Sequence, residues 1–268
     1  FEEEQFVPYY CSGEVVPQQE ICNGVDDDCD GVIDWGEEMK DTDVLFIVDW
    51  SGSMSDEIDA VMIALNQFAQ DFSDEEVIKW GLIRGPAGIP PVYHEERLEL
   101  YQDLVGFSDF LSSMSTLDSD SPSMNTSMEM LLDAIYLSVH NISSNLFAAI
   151  ADLEWLGVVS PNIKIADSEP TLDNFVVNWR PGADRIIIVF TDEPPQSYLV
   201  PEVGVEDVKS AVAGAPQLKL FTFSRTSHKT VWEEMAISGN GEWYELTNNP
   251  TEMYAGLMSI LDDICKAE

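Results

Sequence analysis

The chain has 268 residues, 45% of them hydrophobic, and carries 50 acidic against 12 basic side chains, a formal net charge of −38. This balance excludes nucleic acid as a partner, because gripping a phosphate backbone needs a basic face that the chain cannot supply. A mean hydropathy near zero excludes a disordered chain, and no apolar run approaches the ~18–20 residues of a membrane span, so a soluble protein is expected.

The length accommodates one sizeable core plus an appendage. The chain starts at Phe1 with no Met and no signal-like apolar stretch, as either a mature form after signal removal or an expressed fragment would. So large a like-charge excess repels itself unless cations or salt screen it. It suits a salty habitat, bound divalent cations, or both.

Residues 1–40 differ from the rest in composition: they hold Cys11, Cys22 and Cys29, one basic residue (Lys40) and no sustained apolar periodicity. Residues 26–37 read DDDCDGVIDWGE, which satisfies D-x-D-x-D-G-x₅-E at every specified position. The spacing predicts a Ca²⁺ loop. Asp26, Asp28 and Asp30 point inward on alternate positions, Gly31 allows the sharp turn, the Val32 carbonyl is a ligand, Asp34 acts through water, and Glu37 closes bidentately. The bland alternative is a solvated acidic run. The flanks cannot supply the two helices of an EF-hand. The segment resembles instead the Cys-bracketed repeat C-N-G-x-D-D-D-C-D-G-x-x-D of bacterial surface proteins, in which a disulfide replaces the helices. The fourth cysteine is Cys265. An even count without a Cys-x-x-Cys pair points to disulfides rather than zinc, and so to an oxidising, extracytoplasmic location. Cys22–Cys29 is the more local pairing, leaving Cys11–Cys265; spacing does not decide the connectivity.

From residue 43 to 268 apolar strand-like runs alternate with helical patterns, which predicts a second, α/β domain. Residues 44–48 (VLFIV) have the length and branching of a strand buried on both faces. A helix follows over 56–72 with Ile58, Val61, Leu65 and Phe68 on one face. Strands are expected at 77–84 and at 97–104, then helices at 107–117, 128–137 and 145–156. Residues 157–181, interrupted by Pro161, Pro170 and Pro181, read as a loop insertion before a central apolar strand at 185–191. Then come helix 205–212, strand 218–223, helix 230–237, strand 243–246 and helix 251–264. Right-handed crossovers make of these a doubly wound, mostly parallel sheet with helices on both faces.

The first strand ends abruptly in Asp49-x-Ser51-x-Ser53, and the central strand ends in Asp192. Ligands of open parallel sheets bind outside the carboxyl ends of the strands, and hard divalent cations take oxygen donors of this kind; a plain Ser/Asp helix cap is the bland alternative. Together these segments resemble the metal-ion-dependent adhesion site (MIDAS) of the von Willebrand factor A-type fold, as in integrin I domains, over roughly residues 43–265. The resemblance implies that the strand at 97–104 is an antiparallel edge, and that a Mg²⁺ or Ca²⁺ ion is bound directly by Ser51 and Ser53, with Asp49 acting through water and Asp192 from the third loop. The second-loop ligand falls in Ser123-Met124-Asn125-Thr126-Ser127: residue type selects Thr126, while helix register also allows Asn125 or Ser127. Asp56 and Glu57 have the spacing of an adjacent metal site in integrin β chains, or simply complement a helix dipole. Trp50 is either an exposed rim anchor or a buried lid over the sheet end. The loops 85–91 and 193–198 are expected to flank the same face.

The expected function is therefore a secreted or cell-surface adhesion module that engages a carboxylate of a partner protein through the ion. The alternative is a structural subunit, packed against neighbouring subunits of an extracellular filament, pilus or surface layer and stiffened by Ca²⁺. No enzyme is expected: His94, His140 and His228 are scattered, and no G-x-S-x-G or phosphate loop occurs.

Overall fold

The computed structural model describes residues 41–71, 77–85, 99–117, 130–140, 177–197 and 203–265. Residues 1–40 with the 26–37 loop, the second-loop candidates Asn125, Thr126 and Ser127, the helix expected over 145–156 and both cysteine pairings lie outside the described residues.

Among the described residues six strands form one sheet: β1 (Thr42–Asp49), β2 (Ile78–Gly85), β3 (Glu99–Val105), β4 (Asp184–Thr191), β5 (Leu218–Ser224) and β6 (Trp243–Glu245), in the order β3-β2-β1-β4-β5-β6. All neighbours pair parallel except β2 and β3, so β3 is the antiparallel edge that the resemblance implied. The order reverses direction at β1 and β4, the two central strands, and the crevice between their carboxyl ends is where such sheets place ligands.

Each strand's two-residue period divides its apolar side chains between two layers. Val44, Phe46, Val48, Ile186, Ile188, Phe190, Phe221 and Phe223 face one side. There they meet α1 (Ile58–Asp71), α2 (Phe107–Leu117) and α6 (Pro250–Cys265). Phe46 sits at the centre of this layer, stacked on Trp80 with ring centroids 6.0 Å apart and edge-on to Phe68. Leu45, Ile47, Ile187, Val189, Leu218 and Leu220 face the other side, under α3 (Leu131–His140), α4 (Val205–Ala213) and α5 (Lys229–Ser238). The fold is α/β and doubly wound, as expected.

Two boundaries shift for visible reasons. The helix expected from residue 56 is preceded by a 3-10 turn, Gly52–Asp56. There the Ser51 carbonyl accepts Met54 N–H at 3.2 Å and the Met54 carbonyl accepts Glu57 N–H at 3.0 Å, so α1 begins only at Ile58. The helix expected from residue 128 begins at Leu131, because Leu132 N–H is drawn to the Gln196 carbonyl at 3.2 Å.

The α5 terminus sets the approach of β6. Asn240 adopts φ 54°, and Gly241 N–H reaches the Ala236 carbonyl at 2.9 Å while Asn240 N–H reaches Ile237 at 3.1 Å, a Schellman closure. It presses Gly241 onto β5, where a Cβ would meet the Leu220 carbonyl oxygen at 2.1 Å. Backbone cannot yield as a side chain can. Gly241→Ala is therefore expected to lower stability by ~2–3 kcal/mol, toward the upper end for overpacking, measured by urea unfolding; a change below ~0.5 kcal/mol would show that the turn rearranges freely.

Candidate functional site

Parallel register aligns the carboxyl ends of β1, β4 and β5. Val48 pairs with Phe190, and Thr191 with Ser224, so Asp49, Asp192 and Arg225 emerge at one edge of the sheet. β1 continues one bond past its end, Trp50 N–H donating to the Gly85 carbonyl at 2.9 Å. The chain then turns sharply: Ser51 N–H donates to Asp49 Oδ1 at 2.9 Å, an Asx-type turn that brings residue 51 back over the strand end.

The four side chains singled out from the motif on loops one and three are brought together. Ser51 Oγ and Ser53 Oγ are 2.8 Å apart, and Ser53 donates to Asp192 Oδ1 at 3.0 Å. Asp49 stands behind them, fully buried, with Thr191 donating to its Oδ2 at 2.8 Å. Burial, reinforced by the nearby Asp192 charge and only partly offset by the Ser51 and Thr191 hydrogen bonds, pushes the Asp49 carboxyl up to about 7 from 3.8. Ser53 is exposed, so the oxygen cluster opens to solvent on that side.

Trp50 resolves as the lid. It is 4% exposed, and the Arg84 guanidinium lies 5.8 Å from its ring centre and 4.8 Å from that of Tyr101. Glu57 turns inward and is nearly buried, whereas Asp56 is exposed, so the two acids do not form a pair at one place.

The third loop is anchored at several points. Glu193 N–H donates to Thr191 Oγ1 at 3.0 Å, and the Glu193 carbonyl accepts the Trp232 indole N–H at 3.0 Å. Ser197 Oγ donates to the fully buried carboxylate of Asp133 in the first turn of α3, and accepts Val203 N–H at 3.1 Å. The start of α3 therefore lies against the loop that follows β4.

Two residues of the site were not anticipated. Thr191 orients Asp49 from a neighbouring strand; its only sequence signal was being a hydroxyl next to Asp192. Arg225 was legible only as a charged residue at the end of a third apolar strand. Its Nη1 lies 3.0 Å from Asp192 Oδ2 and its Nη2 donates to Glu57 Oε1 at 2.8 Å. The Glu57 hydrogen bond raises its pKa further, so the guanidinium stays charged.

As a donor set this is all oxygen, two carboxylates and two hydroxyls, which fits a hard divalent cation with retained waters. Among the described residues no group of three His, Cys, Asp or Glu side chains gathers as a metal cage. A softer metal such as zinc is accordingly a poor fit to these donors.

No protein-family model matches the chain, and no match was found among curated proteins. Solved structures do match. The chain resembles the pilus adhesin SpaC of Lactobacillus rhamnosus GG in its open conformation, with a TM-score of 0.53 and 12% identity, over 85% of this chain and 30% of that one. A variant of the PilB minor pilin of Streptococcus sanguinis matches at TM-score 0.53 and 10% identity, over 85% of this chain and 62% of that one. A von Willebrand factor type A protein of Catenulispora acidiphila aligns at TM-score 0.49 and 13% identity, over 85% and 44%. The chain thus spans less than two thirds of each of these chains, and at such identities the likeness is one of fold.

Proposed function

We propose that the chain is an extracellular, cell-surface binding module of von Willebrand factor A type. In this reading a Mg²⁺ or Ca²⁺ ion is held by Ser51, Ser53 and a second-loop hydroxyl, Thr126 by residue type, with Asp49 and Asp192 behind them. The observation that carries it is the run of oxygens Ser51–Ser53–Asp192, in hydrogen-bond contact at 2.8 and 3.0 Å, open to solvent at the switch point of the sheet. A bound ion would offer a free coordination position to a carboxylate of a partner protein. The chain's own residues hold the donors in place. Thr191 and the Ser51 amide fix Asp49, Ser53 aligns Asp192, and the buried Trp50 closes the floor. On a chain of net charge −38 such an ion would be the main attractor for an acidic group. No catalytic role is assigned.

Titrating chelator-treated protein with Mg²⁺ alone tests the reading. Wild type is expected to show one Mg²⁺ site. Ser53→Ala is expected to weaken it by at least about tenfold, and Asp192→Ala to abolish it, as for loss of a hard ligand. Equal Mg²⁺ binding by all three proteins would sink the reading. A Glu37→Gln variant separates any Ca²⁺ bound by the 26–37 loop. The structural-subunit reading draws on the likeness to a minor pilin. It requires that added cation change the oligomeric state by sedimentation, and that partner binding be insensitive to Ser53→Ala.

A further inference from the structure

Arg225 places a permanent positive charge where the reading above puts a cation. Its two arms are unequal. The Glu57 arm is a directed hydrogen bond at 2.8 Å, whereas the Asp192 arm is close at 3.0 Å yet misaligned, leaving Asp192 Oδ2 buried without a hydrogen bond. The guanidinium remains 44% exposed and is carried by the chain between β5 and the 3-10 turn Thr226–His228, so it has room to move. Glu57 immediately precedes α1, and Arg225 links the start of this helix to the end of β5 across the mouth of the site.

We propose that Arg225 is a resident cation of this site, one that competes with the divalent ion by neutralising Asp192 and that withdraws onto Glu57 when the ion enters. The inference rests on the cation-site reading and deepens it. A charge this close to a ligand carboxylate weakens that carboxylate as a donor and repels an incoming dication. The misaligned Asp192 arm is the one to be released, because it forfeits the lesser interaction. Glu57 then gives the freed guanidinium a place to stay and keeps it paired. The device keeps the cation-free site ordered and restricts loading to surroundings rich in divalent cations.

The experiment is Mg²⁺ titration calorimetry on the full chain with Arg225→Gln, Arg225→Lys, Glu57→Gln and Ser53→Ala, together with thermal unfolding in chelator and in saturating Mg²⁺. Arg225→Gln is expected to bind Mg²⁺ roughly tenfold more tightly than wild type, while Arg225→Lys, which keeps the charge, stays near wild type. Glu57→Gln is expected to weaken Mg²⁺ binding, since it leaves the guanidinium to Asp192 alone. In chelator Arg225→Gln is expected to melt below wild type, yet to gain more from Mg²⁺, a crossing that a purely structural arginine would not produce. Unchanged or weaker Mg²⁺ binding by Arg225→Gln, with wild-type binding still lost in Ser53→Ala, overturns the competition and leaves the cation reading standing. Binding absent from every protein overturns both. Binding that emerges only in Arg225→Gln supports the competition and removes the cation reading for the wild-type chain.

Discussion

Replacing Arg180 by alanine is expected to destabilise the protein by about 3–5 kcal/mol, the range for breaking a buried ion pair by removing one partner. Asp43 lies in β1 with no exposed surface. Arg180 meets it twice, through its backbone N–H to Oδ2 at 2.7 Å and through Nε to Oδ1 at 2.6 Å. The same guanidinium donates to the Thr42 carbonyl at 2.8 Å and to the Val77 carbonyl at 2.5 Å, so it ties the start of β1 to the residue preceding β2. A further arm reaches the exposed Asp41 at 2.9 Å and contributes little. The alanine variant keeps the backbone bond but strands a buried carboxylate and removes donors from two carbonyls. Arg180→Lys retains charge without the planar fork and is expected to recover only part of the loss. The Asp43→Asn/Arg180→Ala double variant is expected to be more stable than Arg180→Ala alone, because no uncompensated charge remains. Urea unfolding measures all three, and a loss below ~1 kcal/mol for Arg180→Ala would show that Asp43 reaches water. The clasp sits at the amino end of the strands, so Mg²⁺ affinity should be unaffected.

The second large effect concerns Asp49. With its carboxyl pushed from 3.8 to about 7 by burial, the folded protein holds a proton between these values that the unfolded chain has released. The contribution to stability is therefore fully present below about pH 4 and is lost as pH rises to about 7, by up to ~4 kcal/mol. Other carboxylates give the whole protein its own pH dependence, so the readout is the difference from Asp49→Asn. In chelator the two proteins are expected to be close in stability near pH 4.5, with the asparagine variant increasingly the more stable toward pH 8. Parallel curves would show that Asp49 titrates as an ordinary acid. Saturating Mg²⁺ is expected to lift wild type at pH 8 and to leave the variant nearly unmoved, since an ionised Asp49 is the form that complements a cation.

Much of the fold was legible. The runs VLFIV and IIIVF are too apolar and too β-branched for anything but strands buried on both faces, and helix faces such as Ile58, Val61, Leu65 and Phe68 announce their period. Helix starts were less so, because a 3-10 turn after Ser51 and a long-range bond from Leu132 to Gln196 outweighed local pattern. In the site, Asp49, Ser51 and Ser53 were readable because they sit within five residues of one another, and Asp192 because it ends a strand.

By itself, then, the sequence determined the α/β class and the oxygen-rich character of the candidate site, which follow from local periodicity and spacing, while the antiparallel edge was legible only through the family resemblance. Only the tertiary structure decided that Trp50 is a buried lid and that Thr191 steadies Asp49. It also decided that Asp43 is answered by Arg180, 137 residues away, and that Arg225 stands against Asp192. These depend on strand register across crossovers, where one residue's slip moves every side chain to the other face. Register is set by the packing of both layers at once, and no single segment carries it.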